Sequence, residues 1–252
     1  MIFQGIPHWL AAAILAPFVG SFLGVLAMRL PARQPVAVGR SHCPDCGATL
    51  GIADLVPLVS WLASGGKCRH CGAPVDRIYP AIELAALAVP LWAASETTGW
   101  VLWAGCVLGW GLLALAVMDM RSMVLADSLT LPLVAIGLGV SWALGTGTLY
   151  SAAIGAAAGF LSFALIGWLY RKLRGRDGLG LGDAKLLAAA GAWLTWMALP
   201  SVVALAALSG LATALIRSVA GRPFRAGERL PFGPHLCGAM WLVWLYGPVV
   251  PG

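Results

Sequence analysis

The residues in this sequence whose types and spacing could do chemistry are four cysteines and three aspartates. Cys43-Pro-Asp-Cys46-Gly47 and Cys68-Arg-His-Cys71-Gly72 form two pairs, with two residues inside each pair and twenty-one between the pairs. A doubled pair of this kind is the pattern of a structural four-thiolate zinc site. One tight turn aims both sulfurs of a pair at a tetrahedral ion, and Gly47 and Gly72 suit the left-handed backbone such knuckles need. Two disulfides would use the same cysteines, although a reducing cytosol disfavours them. His42 and His70 stand beside the thiols, but Cys43, Cys46, Cys68 and Cys71 already complete a tetrahedron, which leaves the imidazoles as neighbours or outer donors. Cys106 and Cys237 are alone in apolar stretches and read as small apolar side chains.

A closed tetrathiolate leaves no position for water or substrate, so reactive chemistry must be sought among the acids, of which the chain has only ten. Asp119 ends an apolar run in Leu115-Ala-Val-Met-Asp119-Met-Arg121, Asp127 follows eight residues later, and Asp183 opens another run in Gly178-Leu-Gly180-Leu-Gly182-Asp183-Ala-Lys185. An acid at the end of a membrane helix is a functional candidate by default. Helix capping alone would also explain Asp183. Two carboxylates brought close together can share one proton, because both cannot ionise cheaply. One then serves as base toward a water and the other as acid toward a peptide carbonyl, an aspartic protease dyad with no covalent enzyme intermediate.

The elements that must position these groups are apolar helices. The chain of 252 residues is 60% hydrophobic and 10% charged, with a mean hydropathy of +0.87, which excludes a water-soluble globule. Its runs are continuously apolar rather than alternating, so they read as helices and not as barrel strands. Candidate spans lie near 8–29, 80–95, 100–118, 129–145, 149–170, 184–198, 200–217 and 233–249, which predicts an all-α polytopic membrane protein with about eight crossings. With eight crossings, all sixteen Lys and Arg residues fall on one side. The positive-inside rule makes that side cytoplasmic and puts both termini on the other. The first run has its basic flank afterwards, at Arg29 and Arg33, and reads as a retained helix rather than a cleaved signal. The expected organisation is a first membrane helix over 1–29, a cytoplasmic zinc insert over 30–79, and a membrane peptidase region over 80–252. An insert of about fifty residues buries little apolar surface, so the metal would supply much of its folding free energy.

Other chemistries fit less well. The net charge of +6 resides in separate loops beside spans, so it reads as topology and not as a nucleic-acid surface. There is no His-Glu-x-x-His sequence. Ser21 and Ser209, each beside a glycine, are expected to serve helix packing, since no histidine is expected in a second span beside either. Gly178, Gly180 and Gly182 do not match the dinucleotide fingerprint and read as a flexible loop.

Several segments together resemble the type IV prepilin leader peptidases, bacterial membrane aspartic proteases of the Gly-x-Gly-Asp kind. They run from Gly20-Ser-Phe-Leu-Gly through Gly39-Arg-Ser-His-Cys43, Asp54-Leu-Val-Pro-Leu-Val-Ser-Trp-Leu62 and Tyr79-Pro-Ala-Ile-Glu83. They continue through Asp127-Ser-Leu-Thr-Leu-Pro132, Gly180-Leu-Gly-Asp183-Ala-Lys and Pro231-Phe-Gly-Pro234. The resemblance implies that Asp119 and Asp183 are the catalytic pair and that Asp127 is not one of it. Two departures stand out: Leu125-Ala126-Asp127 replaces the usual Leu-Pro-Asp, and Arg77 is displaced by one from an Arg-Tyr-Pro.

The resemblance further implies a prepilin or pseudopilin substrate with a basic leader and an apolar helix, cut at the cytoplasmic face of the bacterial inner membrane for a type IV pilus or type II secretion. It also implies N-methylation of the new terminus with S-adenosylmethionine, associated with the cysteine-bearing insert. No cofactor pocket is readable in the sequence, and Glu83 could serve such a site or balance Arg77. Three readings stay open: a bifunctional peptidase and methyltransferase, a peptidase alone, and a noncatalytic zinc-bearing scaffold or transporter.

Overall fold

The computed structural model describes residues 6–36, 41–175, 178–221 and 230–249. Gly39, the basic residues Arg40, Arg176, Arg222, Arg225 and Arg229, and the two chain ends lie outside them. The helices are α1 (His8–Arg29), α2 (Val59–Ala63), α3 (Ile78–Glu96), α4 (Gly99–Ser122), α5 (Asp127–Leu144), α6 (Thr146–Arg174), α7 (Leu181–Leu194), α8 (Leu199–Val219) and α9 (Gly233–Tyr246). Among the described residues there are no strands, only two isolated bridges in the insert, His42 with Thr49 and Lys67 with Pro74.

Helices stand at all eight segments picked out by hydropathy. Six are long and apolar enough to cross a membrane: α1, α3, α4, α5, α6 and the Trp196–Val219 stretch containing α8. The other two, α7 and α9, have 14 residues each. At ~1.5 Å per residue that is about 21 Å, less than a hydrocarbon core of ~30 Å. The segment expected to reach residue 198 ends as α-helix at Leu194, where Thr195 takes a φ of 69° and a short 3-10 turn over Trp196–Ala198 leads directly into α8.

By packing, the chain divides into two compact units, Met1–Ala114 and Leu115–Gly252. In the first, α1 and α3 meet at small residues. A Cβ added at Gly20 would lie 2.7 Å from the Glu83 Cα and 2.8 Å from the Ala86 Cβ. Trp110 donates its indole N–H to the Ala86 carbonyl at 2.9 Å, and Trp103 donates to His8 Nδ1 at 3.2 Å, around a core of Ala12, Leu102 and Cys106. The insert between α1 and α3 is stitched by Gly51 N–H to Asp54 Oδ2 at 3.0 Å and by Arg69 Nε to Asp54 Oδ1 at 3.3 Å.

In the second unit α7 is central. Nine of its fourteen residues are buried, mostly alanines, and a helix that is apolar all round is one that neighbours can surround. Trp193 donates to the Leu133 carbonyl at 2.8 Å and Ser141 to the Ala192 carbonyl at 2.9 Å, tying α5 to α7. Trp193 also meets Trp244 of α9 edge to face, ring centroids 5.4 Å apart. On the α6 side the backbones touch: a Cβ at Gly159 would lie 2.5 Å from the Leu187 carbonyl oxygen. Lipid gives little hydrophobic drive between helices, so such close approach of small residues supplies the attraction.

Candidate active site and metal centre

Asp119 lies in the last turns of α4 and Asp183 is the third residue of α7, sixty-four positions later. The second unit brings Asp183 within the electrostatic field of Asp119. Asp119 is buried, 6% exposed, and its Oδ2 accepts the backbone N–H of Gly233 at 2.9 Å. Gly233 opens α9, where Pro234 can occupy the first turn without loss of a needed donor. No side chain fits there, because a Cβ on Gly233 would sit 2.7 Å from that same Oδ2.

Asp183 accepts the N–H of Gly180 at 3.2 Å through Oδ2, a cap on the first turn of α7, where the helix dipole also favours negative charge. Capping and proximity to Asp119 are therefore both present at Asp183. Gly182 explains the approach on its other side: a Cβ there would lie 3.0 Å from the Leu125 Cβ, in the segment joining Asp119 to Asp127. Asp127 forms a salt bridge with Lys185, two residues past Asp183. Neither Gly233 nor Lys185 could be assigned a role by sequence alone. The one signal for Gly233 is its place between Phe232 and Pro234 in the Pro231-Phe-Gly-Pro234 segment. Cys237, read as inert, is buried one turn along α9 within the field of both carboxylates.

One expectation is corrected. His235 Nδ1 stands 3.1 Å from Ser209 Oγ, so a histidine does lie beside one of the two serines, because α8 and α9 pack with these faces together. The Ser209 hydroxyl also donates to the Ala206 carbonyl at 3.0 Å, as in ordinary helix back-bonding.

In the first unit the sulfurs of Cys43, Cys46, Cys68 and Cys71 all lie within 4.8 Å of one another and could hold a metal ion. The Cys43 and Cys71 sulfurs are 3.9 Å apart. A tetrahedron with metal–sulfur bonds of about 2.3 Å has edges of about 3.8 Å, whereas a disulfide needs about 2.05 Å. The two knuckles are built alike. Cys43 N–H reaches the Ala48 carbonyl at 2.9 Å and Cys68 N–H the Ala73 carbonyl at 2.8 Å, while Gly47 and Gly72 adopt φ of +70° and +75°. The amides of Cys71 and then His70 draw the Cys68 thiol down to about 6, as suits a thiolate ligand.

Beside the knuckles is a cavity of about 460 Å³ whose walls include Ser21, Asp54, Trp61, Tyr79 and Glu83. Glu83, for which a cofactor site and a balance with Arg77 both stayed open, lines this cavity and accepts the backbone N–H of Leu58 at 2.8 Å through Oε2.

The family profile described as Bacterial Peptidase A24 N-terminal domain matches residues 14–97, and that of the type IV leader peptidase family matches residues 106–215. A prepilin leader peptidase/N-methyltransferase of Burkholderia pseudomallei is 43% identical, over 89% of this chain and 81% of that protein. Proteins of the same name from Aeromonas hydrophila (38% identical, 97% of this chain and 93% of that protein) and Pseudomonas aeruginosa (35%, 94% and 90%) are also similar. No solved structure matches the chain.

Proposed function

The chain belongs to the type IV leader peptidase family, and on that premise we propose that it cuts the basic leader from prepilins or pseudopilins and then N-methylates the exposed terminus. The observation that carries the peptidase half is that Asp183 lies within the field of Asp119, with a backbone N–H from Gly233 aimed at Asp119. At any moment one carboxyl holds the shared proton. The ionised partner takes a proton from water as its oxygen attacks the scissile carbonyl, and the protonated one gives its proton to the carbonyl oxygen. Collapse of the resulting diol returns a proton to the leaving nitrogen. The acid and base roles belong to the coupled pair.

Eight crossings of the bacterial inner membrane, with both termini outside and the insert and catalytic loops cytoplasmic, fit the charge distribution. Those crossings include α7 and α9, which the surrounding helices would shelter despite their length. A dyad at helix ends on the cytoplasmic side reaches a bond just outside an apolar substrate helix without unwinding that helix in lipid. Co-expression with a prepilin, followed by mass analysis of the product's N-terminus, tests both halves: a shortened chain carrying one added methyl supports the reading, and an intact leader rejects it.

Gly233→Ala is the sharper probe of the site's geometry. The new methyl must displace the Asp119 carboxylate, and a misplacement of about 1 Å at a reacting group is worth about 100-fold. Cleavage is expected to fall by that order while membrane abundance stays at the wild-type level.

The four thiols are proposed to hold a structural zinc ion, as the tetrahedral edge supports. Metal analysis should find about one zinc per chain, lost when Cys43→Ser and Cys68→Ser are combined. Undiminished zinc in that double variant would reject the ligand set. For methylation, S-adenosylmethionine would supply an electrophilic methyl group. The cavity beside the knuckles has the volume usual for small-molecule sites, and Trp61 and Tyr79 give it aromatic walls. Trp61 also keeps a buried indole N–H with no hydrogen-bond partner among the described residues.

A further inference from the structure

Glu83 is the buried acid of the first unit, 6% exposed, and the insert is folded against it. It stands five residues into α3, about 7.5 Å of helix beyond Ile78, where a carboxylate is costly to bury unless it meets donors or a cation. Only part of its capacity is used. Oε2 takes the Leu58 N–H at 2.8 Å and the Ser21 hydroxyl also faces the group, whereas an ionised carboxylate offers about four acceptor positions.

The surrounding backbone keeps the carboxylate in place from two sides. Leu58 adopts φ 60° and ψ −49°, and Val59 N–H closes onto the Pro57 carbonyl at 2.6 Å, a three-residue turn rarely tolerated by a residue with a side chain. Such strain persists where neighbouring structure over-determines it, and it clusters at ligand sites. From below, Gly20 presses α1 against the Cα of Glu83, so α3 cannot draw back. Of the other acids in this wall, Asp45, Asp54 and Asp76, Asp54 is paired with Arg69 and Asp76 accepts the Ile78 N–H at 3.0 Å, so two are already engaged. Glu83 is thus a fixed acid with spare acceptor capacity, on the wall of a cavity of about 460 Å³.

We propose that this cavity receives the free α-amino group released by leader cleavage, and that Glu83 is the residue that binds it and accepts its proton during methyl transfer. The assignment rests on the methyltransferase reading above. Glu83 attracts the ammonium form and takes one proton, leaving a nitrogen lone pair. That lone pair forms the N–C bond while the methyl–sulfur bond of a sulfonium donor breaks, its electrons remaining on sulfur as a neutral thioether. The second proton shed by the methylated nitrogen passes to water.

The test uses the full-length protein in nanodiscs, with Glu83→Gln and Glu83→Asp, an uncleaved prepilin, a peptide of the mature N-terminus, and the same peptide N-acetylated. Wild type should bind the free-amine peptide more tightly than the acetylated one. Glu83→Gln should cleave prepilin, retain zinc and bind S-adenosylhomocysteine as wild type does, lose the preference for the free amine, and methylate at least about 100-fold more slowly. Glu83→Asp should restore part of both properties. Methylation by Glu83→Gln at the wild-type rate overturns the proposal. So does a wild-type protein indifferent to acetylation, a result that does not depend on any variant folding. If wild type cleaves but adds no methyl, the methyltransferase reading fails. In that case a preference for the free amine that disappears in Glu83→Gln keeps the amine site, and no preference removes it as well.

Discussion

With Asp183→Asn, the protein is expected to accumulate in the membrane but to leave the prepilin leader attached, cleavage falling on the order of 10⁴-fold. The substitution is chosen to leave the fold intact. An asparagine oxygen can still accept the Gly180 N–H that caps α7, and at position 119 it can still accept the Gly233 N–H. What each change removes is an exchangeable acidic proton and a negative charge. If Asp183 only started a helix, asparagine, itself a good cap, would be nearly neutral. Asp119→Asn is expected to match Asp183→Asn. The double variant should be scarcely worse than either alone, because groups that act as a unit lose their function together. Immunoblots of co-expressed prepilin, with mass analysis of its N-terminus, read the result. Cleavage retained in both single variants would reject the dyad and favour a scaffold or transporter.

How far the sequence could be read depended on the range of each interaction. Hydropathy is a local signal, and it located the helices because each must satisfy its own backbone groups in lipid. The cysteine knuckles were legible for the same reason: each turn is closed within six residues, as in the Cys43 to Ala48 bond. Partnerships across the chain left weaker traces. Gly233 meets Asp119 over 114 positions, and a glycine between Phe232 and Pro234 looks like any helix start until the carboxylate is seen against its amide. Ser209 and His235 were judged apart because a linear sequence does not say which faces of α8 and α9 meet. Glu83 could be identified as an acid near the interface, but its grip on Leu58 depends on a backbone turn that side-chain types do not encode.

The same reasoning makes Gly191 the position where a single added group should do most structural damage. A Cβ there would fall inside the carbonyl group of Gly155, and a Cβ on Gly155 would lie 2.7 Å from the Gly191 carbonyl oxygen. Both obstacles are backbone, so no rotamer change relieves them. Gly191→Leu must drive α6 and α7 apart, opening the Gly159 contact with Leu187 as well and losing the van der Waals attraction on which helix association in lipid depends. Overpacking of this kind costs about 3 kcal/mol or more. Gly139, at an exposed position of α5 with nothing near its missing Cβ, is the matched control. Detergent-solubilised Gly139→Leu should unfold thermally like wild type, whereas Gly191→Leu should be scarce in membranes and aggregate on extraction. Because Asp183 rides on the same helix two turns earlier, any Gly191→Leu protein that survives should cleave poorly while matching wild type in the metal content of its four-cysteine cluster, since the knuckles lie in the other unit. Wild-type stability in Gly191→Leu would mean that α6 and α7 do not touch at this crossing, and the packing that holds Asp183 in place would have to be sought elsewhere.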